Sequence, residues 1–326
     1  MSRQQLNEDF VRKTYRYLRI GLLVSVLMLG ASVVVERLMV DCWQTSISGY
    51  YFTPVRAVFV SALVAVGLAM IAIKGQGKED LMLNIAGMLA PLVAFIPTRN
   101  IGLGCWSSPP VVHEEGKLDV ALSGLFELID ASSLNNLRAL AVSGLISLLV
   151  AVALLIIEEK RKQSPLAEEK RKQRPLAALS ISRGDSSVRQ GMLVTFVVIV
   201  AVWLLYEVDW DLFRRWLHHL AAIGLFGFVA IASRINNRRL ERDRQDSASD
   251  NPGTESKRNQ MFRTVYLWIP IAMLAAALLV GAVFLVLGED DWMHAVLVLE
   301  VAEIILFFIY WIFQTWEHWD DPVGVS

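Results

Sequence analysis

A chain of 326 residues with 55% hydrophobic side chains, only 19% charged ones and a mean hydropathy of +0.46 is too apolar for a water-solvated domain of this length, so lipid is the expected solvent for much of it. A formal net charge of −1 gives no reason to expect nucleic acid as a partner. Two cysteines, Cys42 and Cys105, exclude a four-thiolate zinc site and a disulfide-dense scaffold.

Eight stretches meet the criterion of roughly 17 to 25 mainly apolar residues for a membrane span. They lie at Leu18–Val35, Val55–Ile73, Leu81–Pro97, Leu137–Ile157, Gly191–Tyr206, Leu217–Ser233, Val265–Leu287 and Met293–Phe313. The first follows basic residues but is long and lacks a small-x-small cleavage site, which reads as an uncleaved span rather than a leader. The expected fold is a single all-α polytopic bundle over residues 1–326.

Loop charge sets its orientation. With a cytoplasmic N-terminus, the inside segments hold five, two, nine and eight Lys or Arg, 24 of the chain's 31, and both termini are expected in the cytoplasm. Cys42 and Cys105 then fall in the first two external segments. A disulfide between them is plausible in an oxidising exterior, with two free thiols as the alternative.

The longest external segment, residues 98–136, carries Leu118, Leu122, Leu125, Phe126 and Ile129 at helical spacing, with Asp119 as a cap. It reads as a short amphipathic helix resting on the outer surface. On the cytoplasmic side, residues 158–189 include the tandem near-repeat EEKRKQSPLA–EEKRKQRPLA, differing only at Ser164 and Arg174. This duplication reads as a solvated basic linker, with contact to anionic headgroups as the sharper alternative. Residues 234–263, charged and rich in Ser, Asp and Gly, are expected to be disordered or a frayed helix. Trp316 and Trp319 are placed for an inner aromatic belt.

The last span is unusual because Glu300 and Glu303 stand inside LVLEVAEIILFFIYWIF. At about 100° per residue, Glu303, Phe307, Tyr310 and Gln314 fall in a narrow arc beside Glu300, giving one polar stripe on a lipid-compatible helix. An intramembrane carboxyl is a functional hypothesis by default, and Arg56, then His218, are the expected partners of Glu300. A hydrogen-bonded strut between helices is the plainer reading. Tyr50, Tyr51 and Arg56 stand at the mouth of span two, Glu36 and Asp41 at the end of span one, and Asp209, Asp211, His218 and His219 before span six. Asp290, Asp291 and His294 precede span eight, with Glu300 about 10 Å further in.

Metal binding is weakly supported. His113, His218 and His294 are external or nearly so, but no His-x-x-x-His or HExxH occurs, and His294 faces away from the Glu300 stripe. No GxSxG elbow marks a nucleophile, so the reading leans away from an enzyme. No cofactor is expected. Gly67, Gly75, Gly224 and Gly227 are expected to permit close packing, Pro91 and Pro270 to kink their helices, and Asp80 and Asn84 to cap span three.

The run TSISGYYFTPVRAVFVSALVAVGLAMIAIKG, then LNIAGMLAPLVAFIPT, LNNLRALAV, HHLAA at His218–Ala222 and LEVAEIILFFIYWIFQTWEHW resemble a family of bacterial multi-spanning membrane proteins met in actinobacteria. The resemblance covers most of the chain and implies an eight-helix inner-membrane fold without an assigned activity. It implies a shared polar set of Ser46, Ser48, Tyr50, Tyr51, Arg56, His218 and Glu300. Phe52, where relatives have His, and Ser61, where Gly is common, depart from the pattern. A shorter likeness to DRAM-like animal proteins is confined to the Ser-Ile-Ser segment. Intramembrane hydrolases of the alkaline ceramidase and progestin-receptor type are weighed too, but their paired histidines are missing from the last span.

The function expected is binding or transport of a lipid or small amphiphile in an outer-leaflet cavity, with Tyr50, Tyr51, Arg56, His218, Glu300 and Glu303 as ligand-binding residues. The alternatives are a metal-dependent intramembrane lipid hydrolase and a structural partner of a membrane complex. Membrane lipids are the expected partners, with a second copy or another membrane protein left open.

Overall fold

In the computed structural model, the described residues are 3–73, 75, 77–98, 117–162, 191–204, 210–250, 257–287 and 293–319. Among them every regular element is helical. The α-helices are α1 (Arg3–Val40), α2 (Arg56–Ala72), α3 (Lys78–Phe95), α4 (Lys117–Lys162), α5 (Gly191–Leu204), α6 (Trp210–Asp250), α7 (Lys257–Leu287) and α8 (Ala295–Glu317). Each expected span falls on one of them. Five helices, α1, α4, α6, α7 and α8, are long and apolar enough to cross a membrane, whereas α2 and α5 are apolar but shorter and α3 meets neither description. The chain is therefore a multi-pass helical membrane protein, and length and composition alone do not carry the count to eight.

The chain divides into two compact units, one of residues 1–111 with 215–326 and one of residues 112–214. In the first, the short helices are the inner ones. α2 buries Phe59, Ala62, Val66, Gly67, Ala69 and Met70, and α3 buries Leu83, Ala86, Gly87, Ala90 and Pro91, through which it runs without a break. A Cβ on Gly67 would lie 2.6 Å from the Gly87 carbonyl oxygen, and one on Gly87 2.6 Å from that of Gly67. Backbone meets backbone there, the close approach that small residues allow between helices in lipid. At Gly224 it is the Leu89 side chain that fills the space a Cβ would take, while Gly227 has open space around it, so the expectation of close packing fails at that position.

α1 buries Arg19, Leu22, Leu29, Val33 and Glu36 along one face and exposes Val24, Leu27, Val34 and Val35 on the other, as a lipid-facing helix should. It ends at Asp41, which takes a left-handed φ of 59° and accepts from Arg37 at 2.6 Å. α8 runs antiparallel to α1: Arg16 donates to the Trp319 carbonyl at 2.8 Å and stacks on that indole, while Ile47, just beyond α1, reaches Glu300 near the other end of α8. Trp316 packs edge-on against Phe262.

α6 and α7 reach well beyond the expected spans. Much of residues 234–263, expected to be disordered or frayed, is helical through Asp250 and again from Lys257. Ser233 Oγ donates to the Tyr266 carbonyl at 3.1 Å and Asn237 to that of Arg263 at 2.9 Å, so polar residues on one face of α6 lock it to α7.

In the second unit, Gly144 of α4 faces Ile199 of α5. The separate surface helix expected within residues 98–136 is a correction: residues 117–130 are the first turns of the 46-residue α4, with Asp119 inside the helix rather than capping it. The turn-forming residues Ser132, Ser133, Asn135 and Asn136 do not break it, because the helix holds no Pro and its two glycines, Gly124 and Gly144, stand apart from them. Ile129, Ser133 and Leu137 continue one buried stripe at i, i+4 and i+8. The side chains of Leu118, Leu122, Leu125 and Phe126, residues 163–190 with most of the decapeptide duplication, and His113, Asp209, Asp290 and Asp291 lie outside the described residues, as does the side chain of Asp211.

Candidate functional site

The segment from Cys42 to Val55 folds into a polar bracket over the ends of α1, α2 and α8. It contains a 3₁₀ turn at Ser48–Phe52 in which Ser48, Gly49, Tyr50 and Tyr51 are buried. Ser46 Oγ accepts the Gly49 N–H at 2.9 Å and pairs with Ser48 Oγ at 3.1 Å, and Ser48 Oγ reaches Thr98 Oγ1 at 2.6 Å. Two serines flanking an isoleucine are thus what this turn requires: hydroxyls that satisfy backbone and each other where water is scarce. Burial pushes the Tyr50 phenol above its ordinary pKa, and its oxygen accepts the Gln44 N–H at 3.5 Å. Cys42 is disulfide-bonded, while Cys105 lies outside the described residues.

Glu300 straps this bracket to α8. Its carboxylate accepts the Ile47 N–H at 2.5 Å and the Ser48 N–H as well, while Leu297 in the first turn of α8 donates its free N–H to the Thr45 carbonyl at 3.0 Å. Arg56, expected as the partner of Glu300, is committed elsewhere. Its guanidinium lies 4.4 Å from the centre of the Tyr51 ring and donates to the Tyr51 hydroxyl at 2.9 Å. The backbone amides reach the Glu300 oxygens first, and the cation stacks on the aromatic face that the turn presents to it.

The stripe on α8 divides in two. Glu303, Phe307, Tyr310 and Gln314 are all buried, as the angular arc predicts. Glu303 Oε2 is enclosed without a hydrogen-bond partner among the described residues. Two turns on, Tyr310 and Gln314 join a network that sequence reasoning missed. Its centre is Glu79 in the first turn of α3, which accepts from Asn236 at 2.8 Å, from Tyr310 at 3.4 Å and from Gln314. Arg19 donates to the Gln314 carbonyl at 3.1 Å, and Glu317 takes Arg239 at 2.6 Å and Tyr266 at 2.7 Å. Asp80, expected to cap α3, instead accepts the Gly75 N–H at 2.8 Å and the Asn84 amide at 3.4 Å, fastening the turn between α2 and α3. The signal for Glu79 was its place at a span's start among long polar residues, which reads equally as a solvated helix end.

Between these clusters lies a partly open cavity of about 70 Å³. Its wall is built by α1 (Val26, Leu29), α2 (Phe59, Ala62, Leu63, Val66), α6 (Ala222, Leu225, Phe226) and α8 (Ile304, Phe307), with Val93 of α3, and is almost wholly apolar. Glu300, His218 and Ser48 are the polar side chains on it. His218 is 1% exposed, and its Nδ1 bonds the Ile96 carbonyl at the C-terminal end of α3 at 2.7 Å, with the Val93 carbonyl also in reach. Its Nε2 is buried and has no partner among the described residues. The structure therefore brings His218 and Glu300 to one cavity and leaves Tyr50, Tyr51, Arg56 and Glu303 off its wall. His294 also lies off it, with Nε2 at 3.3 Å from the Trp43 carbonyl. Among the described residues, no three His, Cys, Asp or Glu side chains gather as a metal-binding group.

Fold and cavity together define a polytopic helical membrane protein with a narrow apolar cavity among its helices. Comparison with known protein families, curated proteins and solved structures finds no match to the chain.

Proposed function

We propose that this protein binds, for storage or transport, a lipid or small amphiphile whose head sits at Glu300 and His218 in a cavity facing the outer leaflet of a bacterial inner membrane. The observation that carries the reading is the convergence of those two intramembrane polar side chains on one apolar cavity walled by α1, α2, α6 and α8. Ionisable residues inside a membrane face such cavities when they serve a ligand path. The loop charge asymmetry supports the orientation.

Native mass spectrometry of gently extracted protein is expected to show an amphiphile retained by the wild type. Glu300→Gln is expected to lose occupancy while keeping its thermal unfolding temperature, because a glutamine carbonyl still accepts from the bracket. Unchanged occupancy, fold and pH response in that variant would sink the proposal.

A further inference from the structure

Resting on that reading, the cavity's polar wall specifies the head group. A carbonyl oxygen can only accept, so the contact of His218 Nδ1 with Ile96 makes Nδ1 the protonated nitrogen. In the neutral ring Nε2 is then an acceptor, and it is this buried nitrogen that has no partner among the described residues. Glu300 also presents acceptor oxygens, since its partners here are backbone N–H donors. The Ser48 hydroxyl is engaged with Ser46 and Thr98, and no Lys or Arg is among the described residues lining the cavity.

We infer that the occupant is a single-chain amphiphile with a neutral hydrogen-bond donor, a hydroxyl, as its head. The hydroxyl donates to His218 Nε2, and the alkyl chain lies along Phe59, Leu225 and Phe307. A carboxylate or phosphate head would bring acceptors against acceptors with no cation to offset them, and an ammonium head would bring three donors to a wall where the Glu300 oxygens already take the Ile47 and Ser48 N–H groups, so part of its hydration would be lost unreplaced. About 70 Å³ admits a head and its first carbons, since about 10–15 Å³ suffices for one water, and the partial opening leaves the rest of the chain outside.

The test compares dodecanol, its methyl ether, dodecanoate and dodecylamine on the full chain in nanodiscs at neutral pH, with affinity read by native mass spectrometry. Dodecanol is expected to bind about fivefold tighter than the ether, the worth of one neutral hydrogen bond, and dodecanoate more weakly still. His218→Phe is expected to abolish the alcohol's advantage over the ether. Ether or dodecanoate binding as tightly as dodecanol overturns the donor assignment and leaves the amphiphile site standing. Dodecylamine binding tighter than dodecanol overturns the neutral head. Failure of all four probes removes the amphiphile site itself, and the same wild-type series decides the matter if His218→Phe does not fold.

Discussion

Two carboxyls three residues apart on α8 have opposite physical situations. Glu300 accepts from the backbone of the Ser-Ile-Ser bracket, so its carboxyl group is held by two N–H dipoles at a fixed place. Glu303 is 7% exposed and Oε2 has no partner, so its burial costs free energy that nothing in its described surroundings returns. Glu303→Leu should therefore stabilise the protein by about 1–3 kcal/mol, read as a raised midpoint of thermal unfolding in detergent. A lowered midpoint would mean that Glu303 has a partner beyond the described residues. One position along the chain matters as much in the turn before α3. Asp80 has the residue type of a helix cap and serves as a loop fastener, because Gly75 presents its N–H to the carboxylate first.

At the scale of elements, the α2–α3 pair depends on the absence of two methyl groups. Gly67→Ala would drive a Cβ into the Gly87 carbonyl at 2.6 Å, and neither backbone can yield without moving its helix. A loss of roughly 1–3 kcal/mol in stability is expected, measured by thermal unfolding, whereas Gly227→Ala, in open space, should be nearly silent. The Glu79 network ties α3 to α6 and α8 by the same logic with polar groups. Glu79→Ala would orphan the buried amide of Asn236 and weaken the hold on Tyr310 and Gln314. At about 1–3 kcal/mol for each orphaned buried donor, this should be among the most destabilising single changes, with Glu79→Gln milder. Retained stability in Glu79→Ala, by the same unfolding assay, would show that the network is not what holds these helices together.

For the molecule as a whole, Arg16 on Trp319 places the start of α1 and the end of α8 on one side. Reporter domains fused at either terminus should therefore give the same readout as each other, and a label-accessible cysteine introduced at Trp43 should report the opposite side. Divergent readouts from the two ends would break the antiparallel arrangement of α1 and α8. The chemistry also differs between the two ends of this bundle: a cavity with one acceptor unpaired among the described residues, His218 Nε2, near the bracket, and a dense, largely paired network around Glu79 and Glu317.

Much of this was legible in the chain itself. Long apolar runs can satisfy their backbone only as helices in lipid, so the positions of the helices followed from composition, and the arc from Glu303 to Gln314 followed from helical geometry. The burial of that arc and the nearness of His218 to Glu300 were readable as polar residues out of place in hydrocarbon. What the chain could not show was pairing. Arg56 meets Tyr51 rather than Glu300, and Glu79 meets partners 157 to 235 residues away, because each bond depends on which helices lie side by side. Local pattern decided that these residues sit on helices and how deep they lie. Tertiary packing alone decided which donors reach Glu300, which acceptor of His218 stays free, and that both border one cavity.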